Sequence, residues 1–219
     1  MPFLADEREY RAMPLMASAE QREGQLIDTD YYVEGYATTF DQPYLLFREA
    51  DGTEYYEQMA TGCFDSADTS DVIYLHNHEG KCLARNKMKR GKDPTLILET
   101  RPEGYFVAAD LGTTPESRAE YEAITGGLVY QMSFAFTVSD AEITELGEGR
   151  YLRTVKSIRK VYDVSSVDQP ANPYTSIDSV TRSAFEGFIN EREQERLKLE
   201  REIAERQKVI AIIKLLKEA

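Results

Sequence analysis

Three short segments hold residue types that can do chemistry together: Leu75-His76-Asn77-His78-Glu79, Gln131-Met132-Ser133-Phe134-Ala135-Phe136 and Val161-Tyr162-Asp163-Val164-Ser165. They supply imidazole, hydroxyl and carboxylate, each in a stretch that reads as a β-strand. Nucleophilic serine chemistry needs those three groups: an alcohol to attack, a base to take its proton, and an acceptor to orient the base. The chain has only two histidines, His76 and His78, both in the first segment. A histidine base, if one is used, lies there.

Strand alternation sorts the serine segment into two faces. Tyr130, Met132, Phe134, Phe136 and Val138 fall on an apolar side, while Val129, Gln131, Ser133, Ala135 and Thr137 fall on the other. Ser133 is therefore expected to point away from the core, among small and polar neighbours with room for a substrate backbone. No G-x-S-x-G elbow is present, which disfavours an α/β-hydrolase. In the histidine segment, Val72, Tyr74, His76 and His78 share one face. Two imidazoles spaced i, i+2 could begin a metal site, completed by Glu79 or Cys82, although no second cluster appears at ligand spacing. Asp163 lies among Val161, Tyr162, Val164 and Val167, where an unpaired carboxylate is costly. An imidazole N–H would satisfy it, as would Lys160 or Arg159. Taken singly, each of these residues also reads as an ordinary structural one.

The elements that must position them are mainly strands. At 219 residues, one globular domain with appendages is expected. Hydrophobic residues at 42% and aromatics at 11% are enough for a core. The net charge of −13 argues against gripping nucleic-acid phosphates. No stretch approaches the roughly 20 apolar residues of a membrane span, and Met1 to Glu7 turns acidic too soon for a signal peptide. Cys63 and Cys82 read as two reduced thiols.

Residues 1 to about 30 lack a sustained period and are expected to form a mobile arm. Strands are expected at 32–38, 71–78, 96–99, 104–111, 128–139, 150–156 and 161–167, with a Pro170-Ala171-Asn172-Pro173 stop after the last. Short strands between Gly and Asp/Asn breaks suggest an α+β, mainly β architecture, a closed or strongly curved antiparallel barrel. One helix interrupts them: Thr114 as N-cap, Pro115 in the first turn, Ser117 to Ile124, and a stop at Gly126-Gly127. It delivers the chain into the serine strand. From Ser183 to Ala219 there is no Pro, and eight acidic residues balance eight basic ones. That tail predicts a long charged helix, either solvated with docked ends or a coiled-coil or partner-binding element.

In the order His, Ser, Asp, these segments resemble the prohead (procapsid maturation) serine proteases of tailed bacteriophages, a family related in fold to the herpesvirus assemblins. Gly35-Tyr36-Ala37-Thr38-Thr39-Phe40-Asp41 is similar to the family's opening strand, and Gly62-Cys63-Phe64 to its Gly-x-Phe segment. Leu75-His76-Asn77-His78-Glu79 resembles the histidine motif, with His76 where Trp is usual. The Thr114-Pro115 helix and Met132-Ser133-Phe134-Ala135-Phe136 follow, Ala135 standing for Gly. Asp163-Val164-Ser165-Ser166-Val167-Asp168-Gln169-Pro170-Ala171-Asn172-Pro173 matches the most specific element, with Asp163 for Glu. The likeness covers roughly residues 30 to 178.

The resemblance implies a serine endopeptidase with Ser133 as nucleophile, His78 as general base and Asp163 orienting it, needing no metal or organic cofactor. Apart from the resemblance, backbone N–H groups are expected to bind the oxyanion, with Arg85 a nearby candidate for helping. The resemblance also implies a phage enzyme of the bacterial cytoplasm, enclosed in the immature procapsid. There it would cut scaffold, the N-terminal region of the major capsid protein, and itself. Neither nucleic acid nor membrane is an expected partner; a homodimer is expected from the assemblin kinship alone. The domains would be an arm at 1–30, a protease domain at 31–182 and a scaffold-docking or removable helix at 183–219. The alternatives are a non-catalytic scaffold- or capsid-binding module, and a zinc hydrolase built on His76, His78 and a carboxylate.

Overall fold

A computed structural model describes residues 8–13, 24–89, 91–168 and 179–218. Among these residues ten strands and two helices run in chain order: β1 (Glu9–Met13), β2 (Tyr32–Thr39), β3 (Tyr44–Arg48), β4 (Glu54–Met59), β5 (Ile73–His76), β6 (Glu79–Arg85), β7 (Leu96–Arg101), β8 (Gly104–Asp110), α1 (Pro115–Thr125), β9 (Gln131–Gly147), β10 (Arg150–Val167) and α2 (Ser179–Glu218). The chain is mainly β, as its texture predicts.

The β9–β10 hairpin is the spine. Its two-residue turn, Glu148-Gly149, has φ of +55° and +71°, the double positive φ that matches strand twist. Residues 150–156 and 161–167, expected as two strands, form one, because β9 pairs across the register shifts between Val155 and Asp163. Those bulges bend the hairpin and keep the ladder continuous. Along its other edge β10 carries two partners in succession: β4 in parallel opposite Arg150–Val155, then β5 in parallel opposite Asp163–Ser166. β3 extends β4 and β6 extends β5. β1, from within the expected arm, lies antiparallel on the free edge of β9.

β2, β8 and β7 form a second, three-stranded sheet. Val33, Ala37, Val107 and Ala109 from this sheet pack against Met132, Phe134, Phe136, Val161 and Val164 from the first. Phe64, of the Gly-x-Phe segment, stacks on Tyr105 at 4.0 Å inside this core. Among the described residues neither sheet closes into a barrel, and the larger one is mixed, with β4 and β5 parallel to β10. β1 takes the edge of β9, and among the described residues an isolated bridge, Phe40 to Met59, links the end of β2 to β4.

α1 follows its sequence pattern closely. Thr114 and Ser117 form a reciprocal capping box, Pro115 opens the first turn, and Gly127 at φ +73° ends it. Ile124 and Val129 anchor this passage in the core. The long helix docks at its start: Phe185 packs with Leu46, Phe47 and Tyr55 in a separate apolar cluster. From residue 190 to 207 its side chains are exposed, apart from half-buried Leu197. Among the described residues no helix is long and apolar enough to cross a membrane. The Pro170-Ala171-Asn172-Pro173 stop and the Met1–Glu7 segment lie outside the described residues.

Candidate active site

Three adjacent strands bring the three candidate residues to one face. In the β9–β10 ladder Ser133 lies opposite Ser165 and Ala135 opposite Asp163. All four thus sit on the side away from Phe134 and Phe136. β5 runs beside Asp163–Ser166, with His76 against Ser166, and ends there.

His78 does not belong to a strand. β5 and β6 are joined by a two-residue turn, Asn77-His78, with φ of +50° and +60°. Positive φ is uncommon outside glycine, and Asn and His are among the side chains that tolerate it best. The turn is clamped to β10. Asn77 N–H donates to the Ser166 carbonyl at 2.9 Å. Its side-chain amide donates to Asp168 Oδ2 at 2.9 Å, while its Oδ1 accepts from the Asp168 N–H at 3.1 Å. His78 N–H donates to Ser165 Oγ at 3.2 Å. The strained turn swings the His78 ring back over β10.

The result is a continuous polar line. His78 Nδ1 lies 2.6 Å from Asp163 Oδ1, and Nε2 lies 2.6 Å from Ser133 Oγ. A carboxylate only accepts, so the Nδ1 proton is aimed at Asp163 and Nε2 is left facing the hydroxyl. Asp163 is 3% exposed and takes a second hydrogen bond from Ser165 Oγ at 3.0 Å. Ser165 therefore braces both the acid and the histidine backbone. The segment Asp163-Val164-Ser165 carried a signal for this, since i, i+2 residues share a strand face. Lys160, the alternative partner for Asp163, pairs with Asp68 at 3.0 Å.

Several expectations are corrected here. The alternation that placed His76 beside His78 stops at the turn, so the two rings part. His76 Nδ1 faces Glu120 of α1 at 3.1 Å and its Nε2 faces Asp168 at 3.3 Å. Glu120 also accepts from Ser166 Oγ, so this second cluster ties α1 to the hairpin. Among the described residues no group of three or more His, Cys, Asp or Glu side chains could hold a metal. Arg85 is not an oxyanion helper: it makes a two-pronged ion pair with Asp71, at 2.7 Å each, at the far end of β6. Cys63 is buried, and that burial pushes its thiol up to about 12, leaving it a poor nucleophile. Tyr130, expected on the core face, precedes β9 and is exposed.

The open ground expected beside Ser133 is filled. Ser133 is 2% exposed, and its hydroxyl lies 2.8 Å from the Arg11 carbonyl oxygen of β1. The Tyr10 ring meets the His78 ring edge-on, with centroids 4.8 Å apart.

A hydroxyl, an imidazole and a carboxylate in one hydrogen-bonded line, on a mainly β scaffold, form a constellation of serine-hydrolase type. The family model for the caudovirus prohead serine proteases matches residues 18–188, and the chain belongs to that family. The match spans β2 to the start of α2. No curated protein matches the chain, and no solved structure does.

Proposed function

We propose that this chain is the maturation protease of a phage prohead, a serine endopeptidase with Ser133 as nucleophile, His78 as general base and Asp163 as the group that orients it. The observation that carries the reading is the unbroken Asp163–His78–Ser133 line, with both links at 2.6 Å. Ser133 Oγ attacks the scissile carbonyl as Nε2 takes its proton. The imidazolium is stabilised by Asp163 and then protonates the leaving amine. Family membership supports the setting: the immature procapsid in the bacterial host, with scaffold and the N-terminal region of the major capsid protein as substrates. Cleavage of the chain itself is part of the same reading. So is the division into an arm at 1–30, a protease domain at 31–182 and a scaffold-docking helix at 183–219. A homodimer rests on the kinship with assemblins.

The test is co-expression with the capsid precursor. Ser133→Ala should fold, keep its melting temperature, and cleave neither itself nor the precursor. Processing that continues in that variant rejects the assignment. A zinc hydrolase is disfavoured by the separate partners of His76 and His78, and chelator sensitivity of the cleavage would revive it.

A further inference from the structure

β1 is an unusual edge strand. A strand added for stability alone would turn apolar side chains inward, yet β1 turns inward Glu9 and Arg11, both buried. They enter a site built by the rest of the sheet. Glu57 on β4 and Arg153 on β10 are direct cross-strand partners, 0% and 3% exposed. Arg153 donates to Glu57 Oε2 at 2.7 Å, and Tyr44 O–H donates to Glu57 Oε1 at 2.6 Å.

The strand completes a ring of alternating charge. Arg11 Nε donates to Glu57 Oε1 at 2.6 Å and its terminal nitrogen to Glu9 Oε2 at 2.7 Å. Arg153 in turn donates to both Glu9 oxygens, at 2.5 and 2.9 Å. Exchanging the two strand residues would set like charge against like at a desolvated site, which strongly disfavours the exchanged order. The site therefore reads an acidic residue followed, two positions on, by an arginine.

The register places this recognition against the nucleophile. β1 runs antiparallel to β9 with Ala12 opposite Ser133, and the peptide carbonyl that meets Ser133 Oγ is that of Arg11. An extended peptide adding a strand to an exposed sheet edge, with alternate side chains read by pockets, is a general mode of peptide binding. The hydroxyl has one proton and two acceptors in reach, Nε2 and the Arg11 oxygen. The strand thus occupies the groove and competes with the base for that proton.

We propose that the β9 edge is the substrate groove, that it selects Glu and Arg at the third and first positions before the cut bond, and that Glu9-Tyr10-Arg11-Ala12 is a substrate segment carried in the chain itself. This rests on the proteolytic reading above. In the step, Ser133 Oγ bonds to the Arg11 carbonyl carbon while its proton passes to His78 Nε2. The Arg11–Ala12 C–N bond breaks, and that proton goes to the Ala12 nitrogen. Water then hydrolyses the ester, leaving an Arg11 carboxylate and free Ser133. Until the segment leaves, it screens Ser133 from other substrates.

The test has two parts. Intact mass of the full-length protein over hours should show loss of residues 1–11 and a new N-terminus at Ala12, absent in Ser133→Ala. A quenched fluorescent peptide containing Glu-Tyr-Arg-Ala should be cut after Arg. Versions with Gln-Tyr-Arg-Ala or Glu-Tyr-Gln-Ala should lose about 10–100-fold in kcat/KM, the effect of one charge-assisted hydrogen-bond set. These peptide changes leave the protein's own fold untouched. Cutting of capsid precursor at other bonds, with no preference among the three peptides and no Ala12 terminus, overturns the groove assignment and leaves proteolysis standing. No cutting of chain, peptide or precursor overturns both.

Discussion

Ser165 and Asp163 lie two residues apart on β10, and the Ser165 hydroxyl donates to Asp163 Oδ1 at 3.0 Å while accepting from the His78 N–H at 3.2 Å. One small side chain thus fixes the acid and the backbone of the base together. Ser165→Ala should lower kcat by about 10–100-fold, the scale of a hydrogen bond to a charged group. KM should stay unchanged, because Ser165 is fully buried. Steady-state kinetics on a peptide substrate separates the two constants.

Asp163→Asn tests the orienting role without changing shape. The amide no longer compels the Nδ1 proton to face it, so the ring can present the wrong tautomer to Ser133. Loss of kcat on the order of 10³–10⁴-fold is expected, with the fold retained. A change below tenfold would show that the carboxylate is not orienting the base.

Asn77 tests the strained turn. Its φ of +50° is open to glycine but costs alanine about 1–2 kcal/mol. Asn77→Ala should therefore melt lower than Asn77→Gly, and calorimetry reads the difference. Both variants lose the side-chain clamp to Asp168. Both should slow cleavage, since His78 is the next residue.

Glu57 links stability to acid. Burial pushes its carboxyl up, but the Arg11 and Arg153 guanidiniums outweigh this and hold it at about 2, below the usual 4.5. Glu9 and Tyr44 complete its surroundings. A carboxylate depressed in the folded state contributes fully above about pH 4.5, and that contribution is lost as pH falls toward 2. Glu57→Gln removes one of the carboxylates that face two buried guanidiniums, and should cost about 3–5 kcal/mol near neutral pH. Its melting temperature should also vary less between pH 5 and 2 than that of the unaltered protein.

Much of the fold was legible in local pattern. The Thr114 capping box, Pro115 and the glycine stop defined α1, because those signals act within one helical turn. The alternation of Met132, Phe134 and Phe136 correctly gave the core face of β9. β3, β4 and β6 were missed, since Tyr, Glu and Lys along them blur the period-two pattern. The break between 156 and 161 was misread because bulges interrupt alternation without ending a ladder.

By itself the sequence determined the chemical parts: two histidines in one segment, a serine in a core-facing strand, a carboxylate that needed a partner, and a chain long enough to bury them. The resemblance singled out His78, but only the tertiary structure shows how the two rings part: a positive-φ turn at Asn77-His78 sends one to Ser133 and leaves the other with Glu120. The tertiary structure also decided what covers the hydroxyl. The pairing of Glu9–Met13 with residues 132–136 joins segments more than a hundred residues apart. No local propensity encodes such a meeting, which depends on the Glu57–Arg153 pair that neighbouring strands present to Glu9 and Arg11.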